Sequence, residues 1–216
     1  DLMVLRKFGL EVDIDNCRVV HNLSEAVSFN PDLALICNPA SEHLAVALEL
    51  VSANTHLFIE KPLSVDTEGI TELLARLEFC GIKAMVAYNL RFCESLLFFK
   101  SVASSGAFGK VLFFNAEVGQ YLPDWRTGAD YRSSVSSRSD LGGGALLELS
   151  HELDYLIWIF GCPESVFATL GRVSDLEIDV EDLVLAQLNF RSGDRQIRGN
   201  LSLDFLQRRP SRQCKL

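Results

Sequence analysis

The segment HLFIEKPLSVD, residues 56–66, places a short apolar strand directly before a carboxylate, an ammonium and a proline. Burying charged groups without partners costs free energy, so Glu60 and Lys61 belong either at an exposed strand end or in a site that the strand supports. Pro62 restricts the backbone that follows them. The segments on either side of this one decide between the two interpretations.

Residues 1–92 alternate short apolar runs with amphipathic segments. The predicted strands cover residues 17–20, 32–39, 56–60 and 83–89. The predicted helices cover residues 23–29, capped by Asn22 or Ser24, the segment that follows a Ser41 cap, and residues 65–80. Strands that are apolar throughout and separated by helices indicate a parallel sheet covered on both faces, and therefore an α/β domain.

Residues 93–216 have a different pattern, with longer and partly alternating apolar runs. The predicted strands cover residues 110–121, 166–173, 182–190 and 196–205, and one helix covers residues 144–160. Alternation is typical of a sheet with one covered face, so this half is predicted to be an α+β domain with a mostly antiparallel, open-faced sheet. The final residues show no obvious closing element.

Composition narrows the class of protein. The chain has 216 residues, of which 48% are hydrophobic and 23% charged, and its net charge of −9 argues against nucleic-acid binding. No apolar run reaches the roughly 18 residues of a membrane span. The cysteines lack metal-ligand spacing, so no metal site is predicted, and Cys37, Cys80 and Cys93 are interpreted as buried side chains in a reducing, cytoplasmic compartment. The basic cluster within residues 208–212 is interpreted as a solvated chain end.

Polar groups follow three of the predicted parallel strands. Asn38 and Pro39 end one strand, the Glu60–Pro62 triplet ends the next, and Asn89 ends the third. In open α/β sheets, ligands bind outside the carboxyl ends of the strands. Three polar groups at one sheet edge therefore favour a site, although a simple turn residue is an equally good interpretation of Asn89.

Three segments occur in order along the chain: EKP at 60–62, AYNLRF at 87–92 and GGGALLELSHELDYLIWIFG at 142–161. Together they resemble the Gfo/Idh/MocA family of NAD(P)-dependent oxidoreductases. The resemblance implies a Rossmann-type NAD(P)-binding domain, here truncated, over residues 1–92 and a C-terminal substrate and oligomerisation domain over residues 93–216. It also implies NAD or NADP as cofactor, a sugar-like small-molecule substrate, and a homo-oligomer that forms through the C-terminal sheet.

The segment CNPASEH, residues 37–43, resembles the family's Pro-x-x-x-His turn, which lies near the cofactor. The turn therefore joins the strand ends in the site that the resemblance implies. The implied cofactor-binding residues are Asn38, Pro39, His43, Glu60, Lys61, Pro62 and Asn89.

Two features depart from the family pattern. The G-x-G-x-x-G fingerprint is absent, and we expect it upstream of Asp1 in a chain truncated at both ends. The residue that selects NAD or NADP would lie in the same upstream part, so the choice between them stays open. The family's Asp-x-x-x-His is replaced by Glu148-x-x-His151, whereas His151-x-x-Asp154 keeps the expected interval.

Lys61 and His151 are the predicted catalytic residues, with Glu148 beside them. The Lys61 ammonium can bind the substrate oxygen, stabilise a developing alkoxide and relay a proton, and Glu60 can orient it. His151 suits general acid–base catalysis because its ordinary pKa is near 6.5. Glu148 and Asp154 lie three residues to either side on a predicted helix, so a carboxylate is expected to set the His151 tautomer and raise its pKa.

The loop 121–134 combines aromatic and guanidinium side chains, which suit sugar rings and anionic substituents. The predicted substrate-binding residues are Lys61, Trp125, Arg126, Tyr131, Arg132, His151 and Asp154. The substrate is then a sugar, a sugar acid or a nucleotide-sugar. Aromatic residues that only pin the loop to the sheet are the alternative interpretation.

Two functions remain open at this point. The first is an NAD(P)-dependent oxidoreductase that transfers a hydride between nicotinamide and a hydroxyl or keto carbon of a sugar. The second is a non-catalytic nucleotide- or sugar-binding regulator on the same fold, because fold does not determine function. Lys61 and His151 favour the enzyme, as do the glycines 142–144, which can let the backbone pass close to a ligand. The shortened spacing from Glu148 to His151 keeps the regulator open.

Overall fold

The computed structural model describes residues 18–193 and 195–216 of the protein. In the first domain, which contains the first sheet, three short parallel strands lie side by side in the order β1-β2-β3. The strands are β1 (Leu33–Ile36), β2 (His56–Ile59) and β3 (Ala84–Val86), and the helices are α1 (Leu23–Val27), α2 (Ala40–Ser52) and α3 (Ile70–Cys80). The predicted parallel α/β arrangement is confirmed.

Helices α2 and α3 cover one face of this sheet, where apolar side chains exclude water and stabilise the domain. The buried residues of this core are Ile36, Ala47, Leu50, Val51, Leu57, Ile59, Leu73 and Ile82. The opposite face leaves Leu33, Leu35 and Met85 exposed. Within the described part of the chain, the prediction of cover on both faces therefore holds for one face only.

The helix starts in this domain partly match the prediction. The Asn22 side chain accepts a hydrogen bond from the Glu25 backbone N–H at 2.8 Å, which confirms Asn22 as the cap of α1. Helix α2 begins at Ala40, one residue before the predicted Ser41 cap, and Pro39 stands at its cap position.

The strand predicted for residues 17–20 is wrong where the structure describes it. Arg18, Val19 and Val20 have no regular structure, and Val19 is 77% exposed. A β-branched run forms a strand only beside a partner that can satisfy its backbone, and none of the described strands lies next to it. Cys17 lies outside the described residues.

In the second domain, which contains the second sheet, a helix α4 (Glu94–Ser105) leads into five strands of order β5-β6-β7-β4-β8. Its strands are β4 (Phe113–Gly119), β5 (Ser165–Gly171), β6 (Leu183–Ser192), β7 (Arg195–Asp204) and β8 (Ser211–Lys215). Every pair is antiparallel except β4 and β7, so the predicted mostly antiparallel sheet is confirmed. Residues Ser211–Lys215, for which the sequence predicted no element, form the edge strand β8, and their polar side chains suit that position.

One face of this sheet is covered. In β6, Val184, Ala186, Leu188 and Phe190 are buried, whereas Leu185 between them is 48% exposed. Helices α5 (Ala145–Glu148) and α6 (His151–Phe160) lie on the buried face. The period of two along the strand therefore produces the open-faced sheet that the sequence predicts.

The helix predicted for residues 144–160 is interrupted. Helix α5 ends at Glu148, Leu149 departs from helical backbone angles, and α6 begins at His151. Upstream, residues 122–141 contain four short 3-10 turns. The helix is interrupted at Leu149 and Ser150, and in the upstream turns serine hydroxyls donate to nearby backbone carbonyls, which competes with regular helix.

The cysteine prediction is wrong for the three residues that it named. Cys37, Cys80 and Cys93 are exposed because each stands at the end of an element and points away from its apolar neighbours. None of the helices that the structure describes is long and apolar enough to cross a membrane.

Candidate active site

Lys61 lies where the two domains meet. It follows β2, and its ammonium Nζ donates a hydrogen bond to the backbone carbonyl of Glu148 at 2.9 Å. Its own backbone N–H donates to the Glu60 carboxylate at 3.0 Å, so Glu60 holds the main chain beneath Lys61 and does not hold the ammonium. The Glu60–Pro62 triplet is therefore no free strand end, because its lysine reaches the second domain.

His43 stabilises this strand end through hydrogen bonds to its backbone. It is 1% exposed, and its ring nitrogens Nδ1 and Nε2 lie 2.8 Å from the carbonyl oxygens of Pro62 and Asn38 respectively. Carbonyl oxygens only accept, so a neutral ring donates to one of them and a protonated ring to both. His43 therefore joins the turns that follow β1 and β2, and it reaches the sheet edge through their backbone.

His151 stands at the start of α6, half-buried, with its ring edge-on to Tyr88 at a centroid distance of 5.6 Å. Nδ1 is buried and has no hydrogen-bond partner within the described chain. Burial, reinforced by the charges of Lys61 and Arg212 and opposed by Asp154, lowers the pKa of His151 to about 4. The prediction of a raised pKa is wrong, because removal from water and two nearby cations outweigh one carboxylate.

The carboxylates expected to partner His151 are bound elsewhere. Glu148 accepts from the Ser136 hydroxyl at 3.0 Å. Asp154 accepts two hydrogen bonds from the Arg91 guanidinium, at 2.8 and 2.6 Å, in a bidentate pair between the domains. Asp154, predicted as a substrate-binding residue, therefore helps to fix the domain arrangement. Its partner Arg91 lies 63 residues away in the sequence, so no local pattern could identify it.

The glycines 142–144 make room for protein atoms. A Cβ on Gly142 would lie 2.6 Å from Val65 and 2.9 Å from Ala40, so this glycine allows the second domain to approach the first. Gly144 has φ +105°, and a Cβ there would lie 2.5 Å from the Glu181 carboxylate, which accepts from the N–H of Leu146 at 2.8 Å. The interpretation of these glycines as room for a ligand is thus replaced by close packing.

The contacts of Glu181 next to this glycine segment explain how Glu148 is placed. Glu181 holds the first turn of α5, through its carboxylate and through its backbone carbonyl, which accepts from the Ala145 N–H at 3.1 Å. The last residue of that turn is Glu148, whose carbonyl accepts from Lys61. The tight glycine segment therefore positions the acceptor for the lysine.

Most of the predicted substrate loop is pinned to the protein. The Trp125 indole donates to the Gln120 carbonyl at 3.2 Å and packs edge-on against Phe205. The Tyr131 hydroxyl accepts from the Glu177 backbone N–H at 3.2 Å.

The two loop arginines differ. Arg132 pairs with Asp130 and with Glu177. Arg126 is exposed and lines a cavity of about 150 Å³ together with Trp125. Of the two, Arg126 is the one that the described contacts leave available to a ligand.

The carboxyl edge of the first sheet suits a dinucleotide. The Asn38 amide donates to Glu42 at 2.9 Å, whereas its side-chain oxygen is buried without a partner among the residues described. A ligand donor group at this edge would satisfy that oxygen. Asn89 follows β3 at the same edge and is exposed. These positions fit the implied cofactor, and no three His, Cys, Asp or Glu side chains of the described ranges form a group that could hold a metal.

Two family models match the chain. The model described as an oxidoreductase family with an NAD-binding Rossmann fold matches residues 4–88, and the Gfo/Idh/MocA C-terminal domain matches residues 97–214. The class that this fold defines is a two-domain protein with a parallel α/β domain of the Rossmann type and a mostly antiparallel sheet domain. The chain belongs to the Gfo/Idh/MocA family, as its motifs predicted.

Curated relatives are moderately similar. Levoglucosan dehydrogenase of Pseudarthrobacter phenanthrenivorans is 29% identical over 87% of this chain and 52% of its own length. The NADP-dependent scyllo-inositol 2-dehydrogenase of Bacillus subtilis is 24% identical over 78% of this chain and 46% of its own length. The chain thus spans about half the length of the curated relatives that it matches.

Solved structures share the fold. GenD2 from gentamicin A biosynthesis, in complex with NAD, has a TM-score of 0.78 at 21% identity, over 99% of this chain and 57% of that chain. The WlbA dehydrogenase of Bordetella pertussis, in complex with NADH and UDP-GlcNAcA, has a TM-score of 0.77 at 23% identity, over 95% of this chain and 60% of that chain. At these identities the likeness shows the fold alone.

Proposed function

We propose that the protein is an NAD(P)-dependent dehydrogenase or reductase that acts on a CH–OH carbon of a sugar or sugar derivative. The observation that carries the proposal is the approach of Lys61, from the carboxyl edge of the parallel sheet, to the helix start that bears His151. Relatives named as levoglucosan and inositol dehydrogenases support a sugar-like substrate.

Lys61 has the chemistry to bind the reacting oxygen. A lysine ammonium has three donors, and one of them is used on the Glu148 carbonyl. The other two can bind the substrate oxygen and stabilise the negative charge that develops when its proton leaves. The bond to Glu148 holds the ammonium at the domain boundary while it does so.

His151 is the proposed proton acceptor. Its lowered pKa, about 4, keeps the ring neutral near pH 7, so one ring nitrogen is free to accept a proton from a hydroxyl. In the reverse direction the same ring returns the proton. The charge of the Lys61 ammonium acts on both partners of this transfer. It stabilises the alkoxide, which favours loss of the hydroxyl proton, and it lowers the affinity of the His151 ring for that proton, which opposes the transfer.

The cofactor, when bound, supplies the hydride chemistry. We propose that Asn38, Pro39, the Glu60–Pro62 turn and Asn89 line its site, since all lie at the carboxyl edge of the parallel strands. His43 contributes indirectly, by holding two of these turns together. Whether NAD or NADP is used is measured directly by comparing KM for the two.

The homo-oligomer stays a prediction. The open face and edge of the second sheet expose Phe113, Phe167 and Leu185, at 54%, 72% and 48%. Apolar side chains of this kind favour association of copies. Light scattering of the purified protein at several concentrations measures the oligomeric state.

The function is tested with the protein expressed from its complete reading frame. NADH or NADPH formation is followed with levoglucosan, scyllo-inositol, D-glucose and D-glucuronate, and nucleotide binding is measured separately. We expect turnover with at least one of these and its loss in Lys61→Ala. Binding of nucleotide and sugar without turnover of any of them would contradict the proposal and establish the regulator instead.

A further inference from the structure

Strand β8 brings an arginine onto the covered face of the second sheet. Arg212 stands opposite Val118 of β4, and its Nε donates to the Glu152 carboxylate at 2.8 Å. Glu152 is the second residue of α6 and directly follows His151. An arginine that the sequence places in a solvated chain end is therefore anchored beside the candidate active site.

The carboxylate that anchors Arg212 is fully buried. Glu152 is 0% exposed, and burial raises the pKa of its carboxyl while Arg212 opposes that rise. Two residues on along β8, Cys214 packs against the apolar core that includes Tyr155, which lies one helical turn beyond Glu152. The ion pair and this packing together join α6 to β8.

Most of the guanidinium stays available. Arginine carries five N–H donors, and the bond to Glu152 uses the one on Nε. The two terminal nitrogens have no hydrogen-bond partner within residues 18–193 and 195–216, and the side chain is 43% exposed. The guanidinium is therefore held through Nε, and its two terminal nitrogens remain open. Such a planar pair of donors matches the two oxygens of a carboxylate.

The position is next to the proposed chemistry. The charge of Arg212 lies close enough to His151 to contribute to the lowering of its pKa, as the charge of Lys61 does. Two cations thus converge on one imidazole in a chain whose net charge is −9. Beyond its contact with Glu152, the Arg212 guanidinium offers terminal N–H donors near this ring, and such donors suit an anionic ligand.

We propose that Arg212 binds a carboxylate of the substrate, and that the substrate is therefore an acidic sugar. The inference rests on the proposed function and narrows its substrate class. Arg212 is better suited than the loop arginines, because Arg132 is occupied by Asp130 and Glu177 and Arg126 lacks a buried anchor.

The test compares two sugars that differ only in a carboxylate. Dissociation constants for D-glucuronate and D-glucose are measured by calorimetry on the protein from its complete reading frame, with NADH present. We expect a preference for glucuronate of about 10- to 100-fold, the value of a charge-assisted hydrogen-bonded pair.

The informative variant changes both partners. Arg212→Met alone would leave the Glu152 carboxylate buried and unpaired, so Arg212→Met is combined with Glu152→Gln. We expect the double variant to fold and to lose the preference, and Arg212→Lys to retain part of it. Arg208→Met, which removes an arginine stacked on the Tyr121 ring, is the control and should keep it.

Equal affinity of the unchanged protein for the two sugars would overturn the inference, as would a preference that survives in the double variant. Binding does not depend on turnover, so the two proposals fail separately. A glucuronate preference without hydride transfer would contradict the proposed dehydrogenase activity and support the anion site. Hydride transfer without the preference would support the activity and contradict the anion site.

Discussion

The ammonium of Lys61 lies 2.9 Å from the backbone carbonyl of Glu148, a residue 87 positions further along the chain. The contact joins the end of a parallel strand to the last residue of a one-turn helix in the other domain. A backbone acceptor restrains the lysine without neutralising it, because a carbonyl carries no net charge. The position of the ammonium therefore depends on how the two domains pack.

Replacement of Lys61 should separate chemistry from binding. We expect Lys61→Ala to lower turnover by about 10²- to 10⁴-fold, because it removes the donor for the developing alkoxide. NADH binding should stay within a few-fold, as measured by fluorescence titration. Lys83→Ala, at the exposed start of the next strand, is the control. Turnover close to that of the unchanged enzyme in both Lys61→Ala and His151→Ala would remove the assignment.

The pH dependence should reflect the lowered pKa of His151. Because that pKa is about 4, the ring is neutral through pH 5 and above, and kcat/KM should fall only as the pH drops toward 4. NMR titration of the His151 ring measures the same transition directly. In Lys61→Met, where one cation is lost, the transition should move to higher pH. A transition near 6.5 in the unchanged protein would contradict this account.

The same shift predicts how stability changes with pH. The folded state, with its pKa near 4, binds fewer protons at His151 than the unfolded state, with its pKa near 6.5. The free energy of unfolding contributed by His151 is thus fully present above pH 6.5 and is lost as the pH falls toward 4. Urea unfolding at several pH values should show this loss, and His151→Gln should lack that part of it.

Gly144 should tolerate no side chain. Its φ is +105°, and the Cβ of an alanine would lie 2.5 Å from the Glu181 carboxylate that caps α5. We expect Gly144→Ala to cost about 2–4 kcal/mol and to lower kcat by displacing Glu148. Gly161→Ala is the matched control, since its φ is +85° and nothing lies near its Cβ. Equal losses in the two variants would show that backbone strain alone is responsible.

His43 should be structural. In His43→Ala the carbonyl oxygens of Asn38 and Pro62 lose their buried partner, which should lower the free energy of unfolding by about 2–4 kcal/mol. Urea denaturation measures this. His56→Ala, which removes an exposed ring that accepts from the Lys83 N–H at 3.0 Å, should cost less than 1 kcal/mol, about the value of one exposed hydrogen bond. Equal stability of the two variants would contradict a supporting role.

The order of elements and the family could be predicted because both depend on local patterns. Apolar runs separated by amphipathic helices predict parallel strands, and alternation predicts a sheet with one open face. The EKP triplet could be placed at a strand end for the same reason. The interruption after Glu148 and the strand β8 were missed because their residues, polar or helix-compatible, carry no periodic signal.

The partners of the two carboxylates in α6 were decided by the tertiary structure alone. Asp154 pairs with Arg91, 63 residues away, and Glu152 pairs with Arg212, 60 residues away. Helical spacing alone suggested His151 as the neighbour of Asp154. Spacing in the sequence shows which groups can share a helix face. The charge that lies closest depends on how distant segments pack, and both the pKa of His151 and the choice of Arg212 as an anion site follow from that packing.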